Sequence, residues 1–340
     1  MLNWVIFLGG AVLLQVANLV LRRFKAGRQV IKVLGLLHWL FLIGIWGELF
    51  GFGERLRVPI TEDLSLNFHW FILLWFIKEP ITILYQSILQ LLGDGYIKLA
   101  NKGKMPTQGN YVQKGQYILP FIGQWTVFNG GCDENLRHGG SVSQTYAYDF
   151  IIMDEGGQSF AGSNTALDSY YCYARDVLAP GDGEVVAVKK NCKDSFVDGV
   201  NAYCDALDIR GNYITIRHHE NEYSVLAHLM PGSEAVKVGD MVKQGQAIAK
   251  CGNSGNSSEP HLHFQFQSGK SFFFSMGLPI GFSGIAAGDK VNYKIADTRP
   301  RENNLQIVGD KTYIGRGLAV ENNKSFQAGR SEIAEQFPSI

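Results

Sequence analysis

Two histidines, His261 and His263, stand on alternate positions in the stretch SSEPHLHFQFQSG, Ser257 to Gly269. Successive side chains of a β-strand point to opposite faces, so residues two apart share one face. A shared face lets one imidazole hold a metal while its neighbour handles a proton, but a plain polar stripe has the same spacing. His228 in EYSVLAHLM, and His138 and Asp149 in ENLRHGGSVSQTYAYDF, carry the other suitable groups. A catalytic zinc site takes three protein ligands from His, Asp, Glu or Cys and leaves a fourth position open. It also needs a group nearby to accept and return a proton. His138, Asp149 and one histidine of HLH make such a set. With a single carboxylate among neutral imidazoles, the site keeps a net positive charge that favours deprotonation of water. The remaining HLH histidine and His228 are then free to move protons.

Short strands must position these groups. From Gly109 onward, GEVVAV (Gly183–Val188), NYITIRH (Asn212–His218), YSVLAHL (Tyr223–Leu229), QAIAKCG (Gln246–Gly252) and HLHFQFQ (His261–Gln267) have strand composition. The segments between them, such as APGDG, RGN, MPGS and GNSGNSSEP, hold the Gly, Asn, Asp and Pro of tight turns. No useful helical period appears here, and an antiparallel β-sandwich or partly closed barrel is expected. AVKVGDMVKQGQAIAK folds back as hairpins like those of biotinyl and lipoyl carriers, but its turn Val238-Gly239-Asp240 offers no lysine to modify. His218 and His219, at a strand end, read as structural or surface groups, and His38 and His69, in apolar segments, as structural or interfacial ones.

Taken together, YAYDF, YSVLAHL and VKVGDMVKQGQAIAKCGNSGNSSEPHLHFQF resemble the lysostaphin-type, LytM-like zinc endopeptidases of bacterial cell walls, from about Leu119 to about Phe282. The resemblance implies that His138, Asp149 and His263 bind one zinc ion, and that His261 and His228 are catalytic. It implies an all-β catalytic domain with a peptidoglycan peptide as substrate. One departure is the spacing: His138 lies eleven residues before Asp149, more than in many members, across the insertion GGSVSQTYAY.

The N-terminal third is apolar. Leu2 to Leu21 carries no charge and has about the 20 residues a helix needs to cross a bilayer. RRFKAGRQVIK follows without an acid, and Val33 to Phe50 is a second candidate span. No basic region precedes the first segment and no clear cleavage site follows it, which argues against a cleaved signal peptide. Short basic loops stay cytoplasmic, so an α-helical transmembrane anchor would leave the following domain outside. The expected location is the bacterial inner membrane, with the catalytic domain facing the periplasm or exterior. Leu64 to Leu92 reads as a helix lying in the interface, or as a third span.

The resulting plan is an anchor at 1–94, with spans near 2–21 and 33–50 and the segment 64–92. A linker at 95–118, a zinc peptidase domain at 119–287 and a C-terminal extension at 288–340 without a readable motif complete it. Basic and acidic residues number 31 each, so no overall field steers the chain toward nucleic acid. The glycine-rich VFNGGCDEN lacks the strand-to-helix context of a phosphate loop. Five cysteines fit no zinc-finger spacing; Cys192 and Cys204, bracketing KDSFVDGVNAY, are the best disulfide pair, and Cys251 reads as a buried small hydrophobe. The expected function is a membrane-anchored zinc endopeptidase acting on peptidoglycan cross-links. The alternative is an inactive LytM-like domain that binds and activates a partner hydrolase; such relatives lose ligands, and here all five groups are present.

Overall fold

A computed structural model describes residues 80–133, 137–138, 141–197, 207–299 and 304–323. Helix α1 (Pro80–Ala100) opens it. Proline suits the first helical position because its missing N–H would have no partner there. The helix ends where Lys102 and Gly103 turn left-handed, with the Gly103 amide donating to the Lys98 carbonyl at 2.8 Å.

The rest is mostly β. In chain order the strands are β1 (Trp125–Gly130), β2 (Tyr148–Ile151), β3 (Asp176–Leu178), β4 (Gly183–Lys189), β5 (Tyr213–His219), β6 (Glu222–Ala227), β7 (Met241–Val242), β8 (Ala247–Lys250), β9 (Leu262–Gln267) and β10 (Ile285–Asp289). A single helical turn, α2 (Tyr293–Ala296), precedes β11 (Leu305–Val308), β12 (Lys311–Ile314) and β13 (Leu318–Asn322). Nine strands form one antiparallel sheet in the order β10-β13-β1-β2-β9-β6-β5-β4-β7, which puts β9 at its centre. β3 pairs with β8, and β11 with β12.

Leu262, Phe264 and Phe266 of β9 enter a core that also holds Phe121, Trp125, Phe150 and Phe282. Phe121 stacks on Trp125 at 4.7 Å between ring centres. Val177, Ile248 and Ala249 of the β3–β8 pair close the same core, giving two layers. The opposite face of β9 carries His263, Gln265 and Gln267, all buried. It is covered in part by Phe272 and Phe273, which pack with Val225, Ala227 and Leu89 of α1.

One buried carboxylate ties the chain before β1 to this sheet. Glu222 accepts hydrogen bonds from Tyr111 Oη (2.7 Å), the Lys114 amide (2.6 Å), the Gly115 amide (3.1 Å) and Tyr117 Oη (2.5 Å). His218 is a satisfied structural group: its Nδ1 donates to the Asp182 carbonyl and its Nε2 lies 2.8 Å from Ser224 Oγ.

The structure corrects part of the sequence reading. The expected inner-membrane location with an exported catalytic domain is overturned, because no helix among the described residues is long and apolar enough to cross a membrane. The expected spans 2–21 and 33–50 lie outside the described residues, as do 64–79. The described part of the expected interfacial segment lies in α1, which meets the β-domain through Gln86, Leu89, Gly93 and Asp94. Its apolar Leu91, Leu92 and Leu99 are exposed. Of the expected linker 95–118, residues 95–100 belong to α1, and Gln113, Tyr117 and Ile118 are buried. The sheet also runs past residue 287, since β13 lies between β10 and β1. Cys204 lies outside the described residues, and Cys251 is fully buried.

Candidate metal centre

Strand register assembles the site. Asp149 on β2 stands directly opposite His263 on β9, and His263 stands opposite Ala227 on β6. Directly opposed residues of antiparallel strands bring their Cβ atoms to about 4.5–5.5 Å. His263 Nδ1 therefore reaches Asp149 Oδ1 at 3.0 Å. His138 arrives from the loop after β1 and sets its Nε2 2.7 Å from Asp149 Oδ2.

Asn129 steadies this corner. Its amide donates to the His138 carbonyl (3.3 Å) and to Asp149 Oδ2 (3.4 Å), and its own oxygen accepts from Arg299 at 3.3 Å. It follows an irregularity in the β1–β2 pairing, the kind of bulge that re-aims side chains beside a site. At neighbouring Gly130, φ is +99° and an added Cβ would come within 3.0 Å of the Ala147 carbonyl carbon, so β1 approaches β2 only with glycine there.

His228 and His261 face the same cleft. His228 follows β6 with φ of +59°, a left-handed conformation that non-glycine residues adopt at a cost of about 1–3 kcal/mol. It is held by Nδ1 donating to the Ser254 carbonyl at 2.7 Å. His261 Nδ1 donates to the Glu259 carbonyl at 2.8 Å. A carbonyl only accepts, so in each neutral ring Nδ1 carries the proton and Nε2 the lone pair. His261 Nε2 lies 3.6 Å from Asp149 Oδ1, and the two rings are 4.6 Å apart between centres. Cys172 Sγ donates to the Pro260 carbonyl at 3.0 Å, pinning the residue before His261.

The electrostatics favour a cation. Burial pushes the Asp149 carboxyl up, but His138, His263 and His261 outweigh it and hold the carboxyl well below its usual 3.8. Burial, followed by the charges of His261 and His263, holds His228 well below the usual 6.5. Donor atoms of His138, Asp149 and His263 all lie within 4.8 Å of one another. Two imidazole nitrogens and a carboxylate oxygen, open on the cleft side, match the donor set and open position of a catalytic zinc site. The residues fit the metal.

Further groups surround these five residues. The cleft, about 390 Å³, is also lined by Gln86, Ser87 and Gln90 of α1, by Gln144 and by Arg210. Gln86 and Asn256 exchange amide hydrogen bonds of 3.3 and 2.6 Å across it. Gln86 and Gln90, four residues apart in an apolar segment, were the available signal. Beneath the site, Gln265 Oε1 lies 3.1 Å from His263 Nε2. The alternation His-x-His-x-Gln-x-Gln from His261 to Gln267 was the sign of it.

Comparison with known proteins bears on this cleft. The sequence profile of peptidase family M23 matches residues 163–273. That stretch holds His228, His261 and His263, while His138 and Asp149 precede it. An uncharacterized metalloprotease of Haemophilus influenzae is 30% identical over 121 residues, 35% of this chain and 22% of the relative. Peptidoglycan DD-endopeptidase ShyC of Vibrio cholerae is 39% identical over 69 residues, 20% of this chain and 16% of the relative. A zinc containing peptidase from Vibrio cholerae, known from its crystal structure, is 21% identical, with 48% of this chain and 39% of that chain covered and a TM-score of 0.30. The matches span about a fifth or less of the curated relatives' length. The likeness to peptidase family M23 covers residues 163–273, about a third of this chain.

Proposed function

We propose that this chain is a zinc metalloendopeptidase that hydrolyses peptide bonds in peptidoglycan cross-links. The observation that carries the reading is the convergence of five side chains on one cleft. His138, Asp149 and His263 bring three donor atoms together, with the lone pairs of His228 and His261 beside them. The relatives' names, one a metalloprotease and one a peptidoglycan DD-endopeptidase, support the substrate class.

When bound, zinc supplies Lewis acidity toward the scissile carbonyl and the attacking water. His138, Asp149 and His263 would hold it. His261, with its Nδ1 proton committed to the Glu259 carbonyl, offers Nε2 as the base for the water's proton. The depressed pKa of His228 keeps that imidazole neutral near pH 7. It can accept a proton at Nε2 and return it to the leaving amine, or donate to the developing oxyanion once protonated. Carboxamides of Gln86, Gln90, Gln144 and Asn256 line the cleft and suit an extended peptide backbone, which presents both donors and acceptors.

The test is elemental analysis of the purified full chain, coupled to digestion of isolated peptidoglycan and separation of the products. About one zinc per chain, with chelator-sensitive release of cross-link fragments, is expected. A zinc-loaded protein that leaves cross-linked peptides intact refutes the reading.

A further inference from the structure

We propose that Gln265 is a positioning residue that locks His263 in the tautomer able to offer Nδ1 to a metal; this rests on the zinc-ligand reading of His263 above. His263, Gln265 and Gln267 share one face of β9 and are 4%, 0% and 0% exposed. Buried amides persist only when their hydrogen bonds are made, and here they run in one direction.

Gln267 Nε2 donates to the Gly269 carbonyl at 2.7 Å, which turns Gln267 Oε1 toward Gln265. Gln265 Nε2 donates to that oxygen at 2.7 Å and to the Ser143 carbonyl at 3.2 Å. Gln265 Oε1 is thereby left facing His263 Nε2 at 3.1 Å. Backbone carbonyls only accept. Flipping either amide would set its oxygen against Gly269 O or Ser143 O, so the two carbonyls fix the polarity of the ladder. An amide oxygen facing Nε2 demands the proton there. Nδ1 then carries the lone pair, 3.0 Å from Asp149 Oδ1. Two acceptors facing each other at that distance call for a cation between them.

The anchor of the ladder is itself held. Ser143 lies in the 3-10 turn Val142–Gln144, and Asp94 of α1 accepts from the Val142 amide (2.9 Å) and from Ser141 Oγ (3.0 Å). One bonded path thus runs from α1 to the ring of His263.

The experiment uses the metal-free full chain with isotope-labelled histidine, above about pH 8, where an ordinary imidazole is neutral. Heteronuclear NMR reads which ring nitrogen of His263 carries the proton, with His263→Gln assigning the signal. The expected wild-type state is protonated Nε2 and bare Nδ1. Gln265→Leu should mix the tautomers and weaken zinc binding, measured against a competing chelator, by about 10- to 100-fold. Gln267→Leu should keep the tautomer, because Ser143 O still orients Gln265. A wild-type His263 protonated at Nδ1 overturns the proposal without any variant. So does a Gln265→Leu protein with unchanged tautomer and affinity. A wild type that shows the Nε2 proton but takes up no zinc overturns the zinc reading and supports the ladder's hold on the ring.

Discussion

Gly93 and Gly95 sit two residues apart in α1, and replacing each by alanine should move stability in opposite directions. Alanine in a helix interior is favoured over glycine by about 0.5–1 kcal/mol, because glycine loses more backbone freedom on folding. Nothing lies within 4 Å of a Cβ added at Gly95, so Gly95→Ala should keep the whole gain. At Gly93 the same carbon would press into the Phe273 carbonyl, 2.9 Å from its carbon atom. That neighbour is backbone, with no rotamer to swing aside. Overpacking a tight contact costs about 1–3 kcal/mol, so the clash wins and Gly93→Ala should lose about 1–2 kcal/mol net. For a domain of this size 1 kcal/mol moves the melting temperature by about 2–4 °C, so melts of the two variants should differ by roughly 3–12 °C. Phe272, next in the chain to Phe273, lines the cleft. Loosening this contact should therefore also speed hydrogen exchange along α1 in the Gly93 variant alone. A Gly93→Ala protein that melts at or above wild type would refute the tight packing of α1 beside the cleft.

Three other outcomes follow from the site and its anchor. His263→Ala should lose most of its bound zinc, and full occupancy by elemental analysis rules out its role as a ligand. His228→Ala and His261→Ala should keep zinc while peptidoglycan hydrolysis falls by about 100- to 10,000-fold; wild-type turnover in both sinks the proposed proton transfers. Burial raises the Glu222 carboxyl, but hydrogen bonds from Tyr117, the Lys114 amide, Tyr111 and the Gly115 amide prevail and hold it below its usual 4.5. The stability it contributes is therefore present above about pH 4.5 and lost as pH falls through the lower folded-state value. Melting temperature should drop more steeply in acid for wild type than for Glu222→Gln, and parallel curves would contradict the linkage.

The β-strands were legible because their alternation is strong. All five stretches with strand composition coincide with strands β4, β5, β6, β8 and β9 to within two residues at each end. The role of α1 was not legible. Its apolar period marks Ile88, Leu91 and Leu92, which are exposed, while it meets the domain through Gln86, Leu89, Gly93 and Asp94. Hydrophobic periodicity reports apolar burial and is blind to a face where a carboxamide, a carboxylate and a glycine dock beside a single leucine. β13 was missed for a different reason. LAVEN is too short to stand out, and its place is set by distant partners. Asn322 bonds both the amide and the carbonyl of Leu119, at 3.0 Å each. Among the site residues, HLH declared itself by spacing, whereas the roles of Asn129 and Gln265 also depend on contacts with Asp149 and with the Ser143 carbonyl, 20 and 122 positions away.

The same alternation that buries the core also delivers the chemistry. On β9, Leu262, Phe264 and Phe266 enter the apolar layer, so His263, Gln265 and Gln267 must face the other way. A slip of one residue would exchange the two sets, burying an imidazole and two amides in the core and exposing two phenylalanine rings to the cleft. Register is thus enforced by the hydrophobic side of the strand, far more strongly than any bond among the polar groups could enforce it. That enforcement brings Asp149 against His263 across 114 positions of sequence. His138 has no such support. It comes from a loop and depends on Asn129 and Asp149 for its place. Two of the three candidate ligands are therefore fixed by the sheet whether or not a metal is bound. The third is the one whose position metal binding can still adjust.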